Sequence, residues 1–348
     1  MLCFGRDFRM DFLTLFIIYT VFVLGSFIMV MNCSGREQFL QSCVNNLSKI
    51  TACVLPVKLR CTACRMFNKV LYTRNPFFLV LHIVLEVVVY GEYTGELYGY
   101  CLEMEFTVLS LSIPYVLLMV KMIFFVMCCV KDPGTVTKSS QGFPLYSYDG
   151  VIYQEGIKCA TCNLIKPARS KHCRLCNRCI HRFDHHCVWV NNCIGAVNMR
   201  YFLLYMLTLC AMAGDLAMLA VAFLQQLVLK SNLMQGSYIG EDGEPHPVDI
   251  SFTIQHLFLT FPRVVFMLGF LIVVFLLLAG YLCFHLYLVL VNETSNEWFK
   301  KRQWNVIQSK HLKHKHKSAK CKSNYHRGVL GNIKEIFKPL TDVEKKHV

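Results

Sequence analysis

The sequence predicts an all-α polytopic membrane protein of about five transmembrane helices that carries a small cytosolic domain rich in cysteine. Of its 348 residues, 55% are hydrophobic and only 17% are charged, whereas about a quarter of a soluble domain is charged. Five apolar runs reach the roughly 20 residues that a membrane-spanning helix needs. Seven of the 19 cysteines lie within residues 159–193. These observations exclude a disordered chain and a small secreted disulfide scaffold, and they disfavour a soluble enzyme.

The five apolar runs cover, in chain order, about 12–31, 77–94, 106–130, 201–229 and 264–291. By position, the first run could instead be a secretory signal peptide. The small-residue cleavage pattern that follows it is weak, so we interpret it as a retained helix. If the last run formed a hairpin of two helices, the basic tail would lie on the outer side, against the charge pattern described next.

The segments that connect these runs alternate in charge. Residues 32–76 contain seven Lys and Arg against one acidic residue, residues 131–200 contain ten against four, and the tail 292–348 contains fourteen against five. Residues 95–105 and 230–253 are acidic. The positive-inside rule therefore predicts that the three basic segments are cytosolic and that the N-terminus is lumenal. The predicted organisation is three helices within 1–130, a cytosolic domain over 131–200, two helices over 201–291 with a lumenal loop at 230–253, and a cytosolic tail over 292–348.

The cysteine-rich segment has the spacing of a metal-binding domain. Two Cys-x-x-Cys pairs occur, Cys159/Cys162 and Cys173/Cys176, and a gap of this length lets both sulfurs reach one Zn²⁺ from a tight turn. With its four histidines the segment offers eleven candidate ligands, of which two structural zinc ions would use eight. Disulfides are disfavoured in the reducing cytosol. We therefore predict a two-zinc domain, and we see no tandem repeat in the chain.

The surplus of candidate ligands leaves room for a reactive thiol. Asp184, His185 and His186 directly precede Cys187. An imidazole beside a thiol favours the nucleophilic thiolate, and a carboxylate beside the imidazole orients it. This pattern indicates acyl transfer through a thioester. The alternative is that Cys187 ligates zinc and that the Asp-His-His run only supports the ligands.

This segment resembles the DHHC family of protein S-acyltransferases, which are palmitoyltransferases. The resemblance covers about residues 77–340 and is carried by several motifs in addition to Asp184-His185-His186-Cys187. These motifs are Asp132-Pro133-Gly134, Lys166-Pro167-x-Arg169-x-x-His172-Cys173, Cys193, Asn198-x-x-x-Phe202, Thr294-Ser295-Asn296-Glu297 and, more weakly, Asn332 to Phe337. Ser295 stands where the family usually has a second threonine. The family usually has four helices with both termini cytosolic, so a fifth helix is a departure.

The resemblance implies a ligand set and catalytic roles for named residues. One zinc ion would be held by Cys159, Cys162, His172 and Cys179, and the other by Cys173, Cys176, His186 and Cys193. His185 would be the base for Cys187, and Asp184 would be its partner. Because no coordination position would stay open, both zinc ions would be structural.

The resemblance also implies a mechanism in two covalent steps. Cys187 would be acylated by a long-chain fatty acyl-CoA such as palmitoyl-CoA and would pass the acyl group to cytosolic cysteines of membrane-associated substrate proteins. By position, Trp189 and Phe202 would contact the acyl chain, although Trp189 could equally be an interfacial anchor. The basic residues Lys166, Arg169 and Lys171 would meet the CoA phosphates, or they would form only a general basic face. The acyl tail would lie in the membrane. Independently of the resemblance, the basic run at residues 310–320 could contact anionic lipid headgroups, or it could be only a solvated, flexible tail.

The last residues suggest a compartment. Lys345 and Lys346 resemble the dilysine retrieval signal of endoplasmic-reticulum membrane proteins, and such signals are read by receptors. We therefore expect residence in the endoplasmic-reticulum membrane, with the Golgi or the plasma membrane as alternatives. The alternative is that these are two chance lysines in a tail already rich in lysine.

Three other functions are compatible with parts of the pattern. A nucleic-acid binder would be basic and cysteine-rich but would not need five spans, and no interleaving of aromatic and basic residues is seen. A membrane RING-like ubiquitin ligase also holds two zinc ions but needs no nucleophile. A non-enzymatic scaffold would not need all four residues of the catalytic motif. The sequence favours the acyltransferase over all three.

Overall fold

The computed structural model describes residues 73–138, 146–239, 243–311 and 325–337, together with positions 58, 61, 62, 65, 66 and 69. Within these residues, four helical segments are long and apolar enough to cross a membrane: Phe77–Glu103, Val108–Val130, Met199–Lys230 and Pro262–Val291. They match the last four predicted spans, and the predicted fold class is confirmed. The first predicted span, at 12–31, lies outside the described residues, as do Lys345 and Lys346.

The helices follow the apolar runs closely. The first described span continues through Glu103, past its predicted end at residue 94, because a short π-helical stretch (Tyr93–Leu97) joins two α-helices. In chain order the α-helices are α1 (Phe77–Glu92), α2 (Tyr98–Glu103), α3 (Val108–Val130), α4 (Met199–Lys230), α5 (Ile250–Thr260), α6 (Pro262–Val291), α7 (Ser295–His311) and α8 (Val329–Phe337).

Short strands pair into four two-stranded antiparallel sheets in the described residues. The first three hairpins lie in the cysteine-rich domain, and the fourth lies between α4 and α5. The pairs are β1 (Lys158–Cys159) with β2 (Leu164–Ile165), β3 (Lys171–Cys173) with β4 (Arg178–Ile180), β5 (His185–Cys187) with β6 (Asn192–Ile194), and β7 (Ser237–Ile239) with β8 (Pro245–Pro247).

Polar side chains and one proline mark where several of the helices start and stop. α7 begins with a capping box, in which the Thr294 hydroxyl accepts from the backbone N–H of Glu297 and the Glu297 carboxylate accepts from the backbone N–H of Thr294. α6 begins at Pro262, whose missing N–H has no helical partner to lose there. At the other end of α3, the Asn192 amide donates to the carbonyls of Cys128 and Lys131, each at 2.9 Å.

The turn after α3 ties this helix to the cysteine-rich domain. The Asp132 carboxylate accepts from the backbone N–H groups of Gly134 and Thr135 at 2.8 and 2.7 Å. Gly134 has φ of +99°, where a side chain would be strained. The chain then pairs with β4, since Val136 N–H donates to the carbonyl of Cys179. The Asp-Pro-Gly motif is thus a turn that fixes the start of the domain.

Two compact units can be distinguished, and one comprises Ile83–Val120 and the described part of Leu207–Gly280. Two of its tyrosine hydroxyls bind backbone carbonyls. The Tyr90 hydroxyl donates to the carbonyl of Pro114 at 2.7 Å, and the Tyr93 hydroxyl donates to the carbonyl of Leu111 at 2.6 Å. Because lipid offers no hydrogen-bond partners, these bonds within the protein hold α1 against α3.

The other unit contains residues 73–82, Lys121–Met206 and the described residues from Tyr281 onward. Lys121 of α3 is fully buried in it. Its ammonium lies 2.8 Å from His82 Nε2 and 4.6 Å from the centroid of the Phe125 ring. The lysine that interrupts the third apolar run is therefore placed inside the protein, as intramembrane charges usually are. The same unit holds the cysteine-rich domain.

Candidate catalytic and metal-binding site

The three hairpins of the cysteine-rich domain are copies of one local structure. Cys159, Cys173 and Cys187 recur every 14 residues, and each is followed four residues later by an asparagine with positive φ. These turn residues, Asn163, Asn177 and Asn191, have φ of 52°, 52° and 49°, a conformation that asparagine tolerates. The prediction that the chain has no tandem repeat is wrong. Only a few positions of the repeat recur, because only the turn and the sulfur position are constrained.

The first group of four predicted ligands comes together in the structure. His172 Nδ1 lies 3.5 Å from the sulfur of Cys159, 3.3 Å from that of Cys162 and 3.8 Å from that of Cys179. Four ligand atoms arranged tetrahedrally around Zn²⁺, with bonds of about 2.1 Å to nitrogen and 2.3 Å to sulfur, lie about 3.6 Å apart. The residues present therefore fit one metal ion.

The second group has the same geometry. His186 Nδ1 lies 3.8 Å from the sulfur of Cys173, 3.4 Å from that of Cys176 and 3.6 Å from that of Cys193. All eight side chains form two separate groups of four that could each hold a metal ion. Each group takes its first two cysteines from one hairpin turn and its last two ligands from the strands of the next hairpin. Metal binding would thus link consecutive hairpins.

The third hairpin keeps the turn but departs from the ligand pattern. Val190 stands where the first two turns have Cys162 and Cys176. In those turns, the backbone N–H of the second cysteine donates to the sulfur of the first, at 3.5 Å for Cys159 and 3.4 Å for Cys173. Cys187 likewise receives backbone hydrogen bonds from Val190 and Trp189. Its thiol therefore has the environment of a zinc-ligand cysteine but is assigned to neither group.

A carboxylate–imidazole pair lies beside this thiol. His185 Nδ1 donates to Asp184 Oδ2 at 2.7 Å. Asp184 is buried, and Ser295 holds it from the other side: the Ser295 hydroxyl donates to Oδ2 and its backbone N–H donates to Oδ1, each at 2.8 Å. The serine that replaces the family's threonine thus supplies the hydroxyl.

The electrostatics of this group favour a thiolate. Burial opposes the charged form of Cys187, but hydrogen bonds from His185 and from the backbone of Val190 and Trp189 hold the thiol pKa below its usual value. Burial also opposes a charged His185 ring, yet the hydrogen bond to Asp184 and the nearby sulfur raise the His185 pKa to about 10. Despite complete burial, the pKa of Asp184 stays well below its usual range because His185 donates to it. Both shifts favour an imidazolium–thiolate pair over a neutral imidazole and thiol.

Two residues of α6 that the sequence analysis did not single out complete the surroundings. The Tyr281 hydroxyl lies 3.5 Å from Nε2 of His185. His285, one helical turn further, is fully buried with Nδ1 4.0 Å from Asp184 Oδ2. Their spacing of four residues inside an apolar run was the available signal, because it places both polar groups on one helix face.

The predicted acyl-chain residues occupy different surroundings. Phe202 is buried, with its ring centroid 5.2 Å from that of His185. Trp189 is 40% exposed and packs edge-on against Phe78 at 5.4 Å. Phe202 thus lies against the His185 ring, whereas Trp189 lies at the start of the first described span.

The structure corrects the expectation for Arg169. Its guanidinium is fully buried and binds both carboxylate oxygens of Glu297, at 2.7 and 2.8 Å, and the side-chain and backbone oxygens of Asn292. Burial alone would raise the Glu297 pKa, but Arg169 keeps it below its usual range. Arg169 therefore cannot meet CoA phosphates. Lys166 is half-buried and Lys171 exposed, with the Lys171 ammonium 3.0 Å from Asn296 Oδ1.

Comparison with known proteins agrees with this geometry. The profile described as DHHC palmitoyltransferase matches residues 152–302. Palmitoyltransferase ZDHHC4 of Mus musculus is 47% identical over 97% of this chain and 99% of its own length, and that of Bos taurus is 43% identical over 95% and 98%. Palmitoyltransferase swf1 of Schizosaccharomyces pombe is 38% identical over 42% of each chain.

Proposed function

The chain belongs to the DHHC palmitoyltransferase family and is a protein S-palmitoyltransferase, and from this premise we propose that Cys187 is the thiol that carries the acyl group. The observation that supports this role is its position in the third hairpin. Eight other Cys and His side chains form two groups of four, and Cys187 remains beside His185. Family membership also decides against the ubiquitin-ligase and scaffold alternatives.

The proposed first step is acylation of Cys187. The thiolate attacks the thioester carbonyl of a long-chain acyl-CoA, the bond between the carbonyl carbon and the CoA sulfur breaks, and His185 returns its proton to that sulfur. In the second step His185 takes the proton of a substrate cysteine, whose sulfur attacks the acyl carbon; the bond between that carbon and the Cys187 sulfur breaks, and Cys187 leaves as the thiolate. Asp184 holds the His185 ring with Nε2 toward Cys187 in both steps.

The two metal groups are proposed to hold structural Zn²⁺. Cys159, Cys162, His172 and Cys179 would hold one ion, and Cys173, Cys176, His186 and Cys193 would hold the other. Four protein ligands leave no open coordination position, so the ions supply folding stability rather than a reactive water. Their effect on the reaction is to fix the hairpin that carries Cys187.

The acyl-CoA donor is proposed to bind beside Cys187 with its acyl chain in the membrane. The acyl chain would pack against Phe202 and toward Trp189, since each buried CH₂ contributes about 0.8 kcal/mol. Lys166 and Lys171 would meet the CoA phosphates. The multi-pass chain would present its cysteine-rich domain to the cytosol, with membrane-associated proteins as substrates and membrane lipid as the surroundings.

The proposed compartment is the endoplasmic-reticulum membrane, with the N-terminus lumenal. The support is the Lys345-Lys346 pair and the alternation of loop charge. A location that does not change when a fused tag masks the C-terminus would remove the first of these supports.

The experiment that tests the role of Cys187 is acylation of the purified full-length protein by labelled palmitoyl-CoA. We expect a hydroxylamine-labile label that is lost in Cys187→Ser while zinc content and thermal unfolding stay unchanged. Cys283→Ser is the matched control, because Cys283 is a free, exposed cysteine on α6, and this variant should keep the label. A label that persists in Cys187→Ser, or a loss of zinc from that variant, would contradict the proposal.

A further inference from the structure

Attack on a thioester creates a charge that the proposed residues do not yet stabilise. As the Cys187 thiolate adds to the carbonyl carbon, negative charge develops on the carbonyl oxygen, and enzymes of this chemistry place hydrogen-bond donors at that oxygen. The backbone N–H groups of Trp189 and Val190 bind the sulfur of Cys187. The donor for the oxygen must therefore come from another part of the site.

Tyr281 offers a hydroxyl at the reacting atoms. It projects from α6 with its oxygen 3.5 Å from Nε2 of His185. The His185 side chain also bonds the thiol of Cys187, so the phenol and the nucleophile approach the same imidazole ring. The hydroxyl and the sulfur are then both within reach of a carbonyl group bound between them.

The ring of Tyr281 is held by neighbours that are themselves buried. It packs edge-on against His285, with centroids 4.5 Å apart, and against Phe202, with centroids 6.3 Å apart. Both neighbours are at most 1% exposed. A ring fixed in this way presents its hydroxyl without the reorganisation that a mobile donor would need.

We propose that Tyr281 is a further catalytic residue, whose hydroxyl donates a hydrogen bond to the thioester carbonyl oxygen while Cys187 is acylated. The inference rests on the proposed role of Cys187. The sulfur of Cys187 forms a bond to the carbonyl carbon, and the carbonyl π electrons move to the oxygen. Tyr281 keeps its proton throughout. The intermediate collapses as the bond to the CoA sulfur breaks, and that sulfur leaves with the electron pair and takes the proton held by His185.

A purely positioning role for Tyr281 would act through His185 and would change the reactivity of the thiol itself. The two roles can be separated with a reagent that needs the thiolate but forms no oxyanion. Iodoacetamide alkylates a thiolate by direct displacement of iodide, so its rate reports on the Cys187–His185–Asp184 group alone. Palmitoyl-CoA requires the same thiolate and, in addition, stabilisation of the carbonyl oxygen.

The test compares Tyr281→Phe with the wild-type full-length protein in both reactions, with modification of Cys187 followed by mass spectrometry. We expect single-turnover acylation by palmitoyl-CoA to slow about 100-fold, the typical effect of losing one such donor. The concentration of palmitoyl-CoA at half-maximal rate and the rate of alkylation by iodoacetamide should not change. Tyr287→Phe is the matched control, because Tyr287 is on the same helix but 51% exposed, and it should behave as wild type.

Three outcomes would overturn one of the two proposals, and they can be told apart. If wild-type Cys187 takes no label, the proposed role of Cys187 fails. If wild type is labelled and Tyr281→Phe reacts at the same rate, Tyr281 has no part in the reaction. If acylation and alkylation slow together while zinc content and thermal unfolding are unchanged, Tyr281 acts through His185 and donates nothing to the substrate.

Discussion

The second and third hairpins of the cysteine-rich domain share a backbone and differ in chemistry. β3–β4 carries Cys173 and β5–β6 carries Cys187 at the same position of the turn, and each strand has a histidine directly before the cysteine. Backbone N–H groups of the turn bind the sulfur in both. A turn that stabilises a thiolate for a metal ion is therefore equally suited to stabilising one for catalysis.

What separates the two hairpins is the set of neighbours of the sulfur. In the second hairpin the neighbour is Cys176, and a metal ion can take both thiolates. In the third hairpin Val190 occupies that position, and the polar neighbour is His185, backed by Asp184. The residues aligned with these two in the second hairpin are Lys171 and Ser170, which form no such pair. Three side-chain differences on one scaffold thus distinguish a proposed zinc ligand from a proposed nucleophile.

The largest effect is expected from replacing Cys173, the cysteine of the second hairpin that corresponds to Cys187. Cys173→Ser should lose zinc and unfold the domain, because structural zinc sites contribute on the order of 10 kcal/mol to folding. Zinc content per chain and thermal unfolding measure this directly. Cys187→Ser is the counterpart in the third hairpin and should keep both properties. Equal loss of zinc from the two variants would show that the hairpins do not differ in the way proposed.

The next largest effect is expected on the rate of acylation when the Asp184 carboxylate is removed. Asp184→Asn should slow acylation of Cys187 by about 10⁴-fold, as in triads whose aspartate is replaced by asparagine, because the amide no longer holds the reactive tautomer of His185. Alkylation of Cys187 by iodoacetamide should slow as well, in contrast to Tyr281→Phe. Single-turnover rates of Cys187 with palmitoyl-CoA and with iodoacetamide measure both effects.

The control for that variant is Glu297, a second buried carboxylate among the described residues of this unit. Glu297 is paired with Arg169, so Glu297→Gln should lower the midpoint of thermal unfolding but should slow acylation per folded molecule much less than Asp184→Asn does. If Asp184→Asn lowers stability as Glu297→Gln does and leaves the rate per folded molecule intact, Asp184 is a structural residue.

Sequence patterns predicted the membrane spans and the cysteine-rich domain, but they missed side chains whose partners are distant in the sequence. Apolar length predicted the four described spans, and Cys-x-x-Cys spacing indicated a two-zinc domain, because both are local properties of the chain. The two sets of four ligands were implied by the family resemblance. The burial of Arg169 was missed because its partner Glu297 is 128 residues away. Tyr281 and His285 were missed because their four-residue spacing places both on one helix face but does not show that this face meets Asp184 and His185.

The smallest expected effect comes from making the third hairpin more like the second. Val190→Cys restores the second cysteine of the turn and places a thiol beside Cys187. With His185 close by, the variant offers three ligands to a metal ion. We expect excess Zn²⁺ to slow its acylation about tenfold, because the metal-bound thiolate is withdrawn from the reaction, and a chelator to restore the rate. Acylation of Cys187 by labelled palmitoyl-CoA, with and without added Zn²⁺, measures the effect.

Val188→Cys is the matched control for this last variant. It adds a thiol to the same turn, but at a position that is not a ligand in either of the first two hairpins, where Ala160 and Arg174 stand. Added Zn²⁺ should therefore leave its rate unchanged, as in wild type. If Val190→Cys is equally insensitive to Zn²⁺ while remaining reduced and folded, the third turn does not share the sulfur geometry of the second. The reactivity of Cys187 would then require an explanation other than a turn of the same kind without its metal ion.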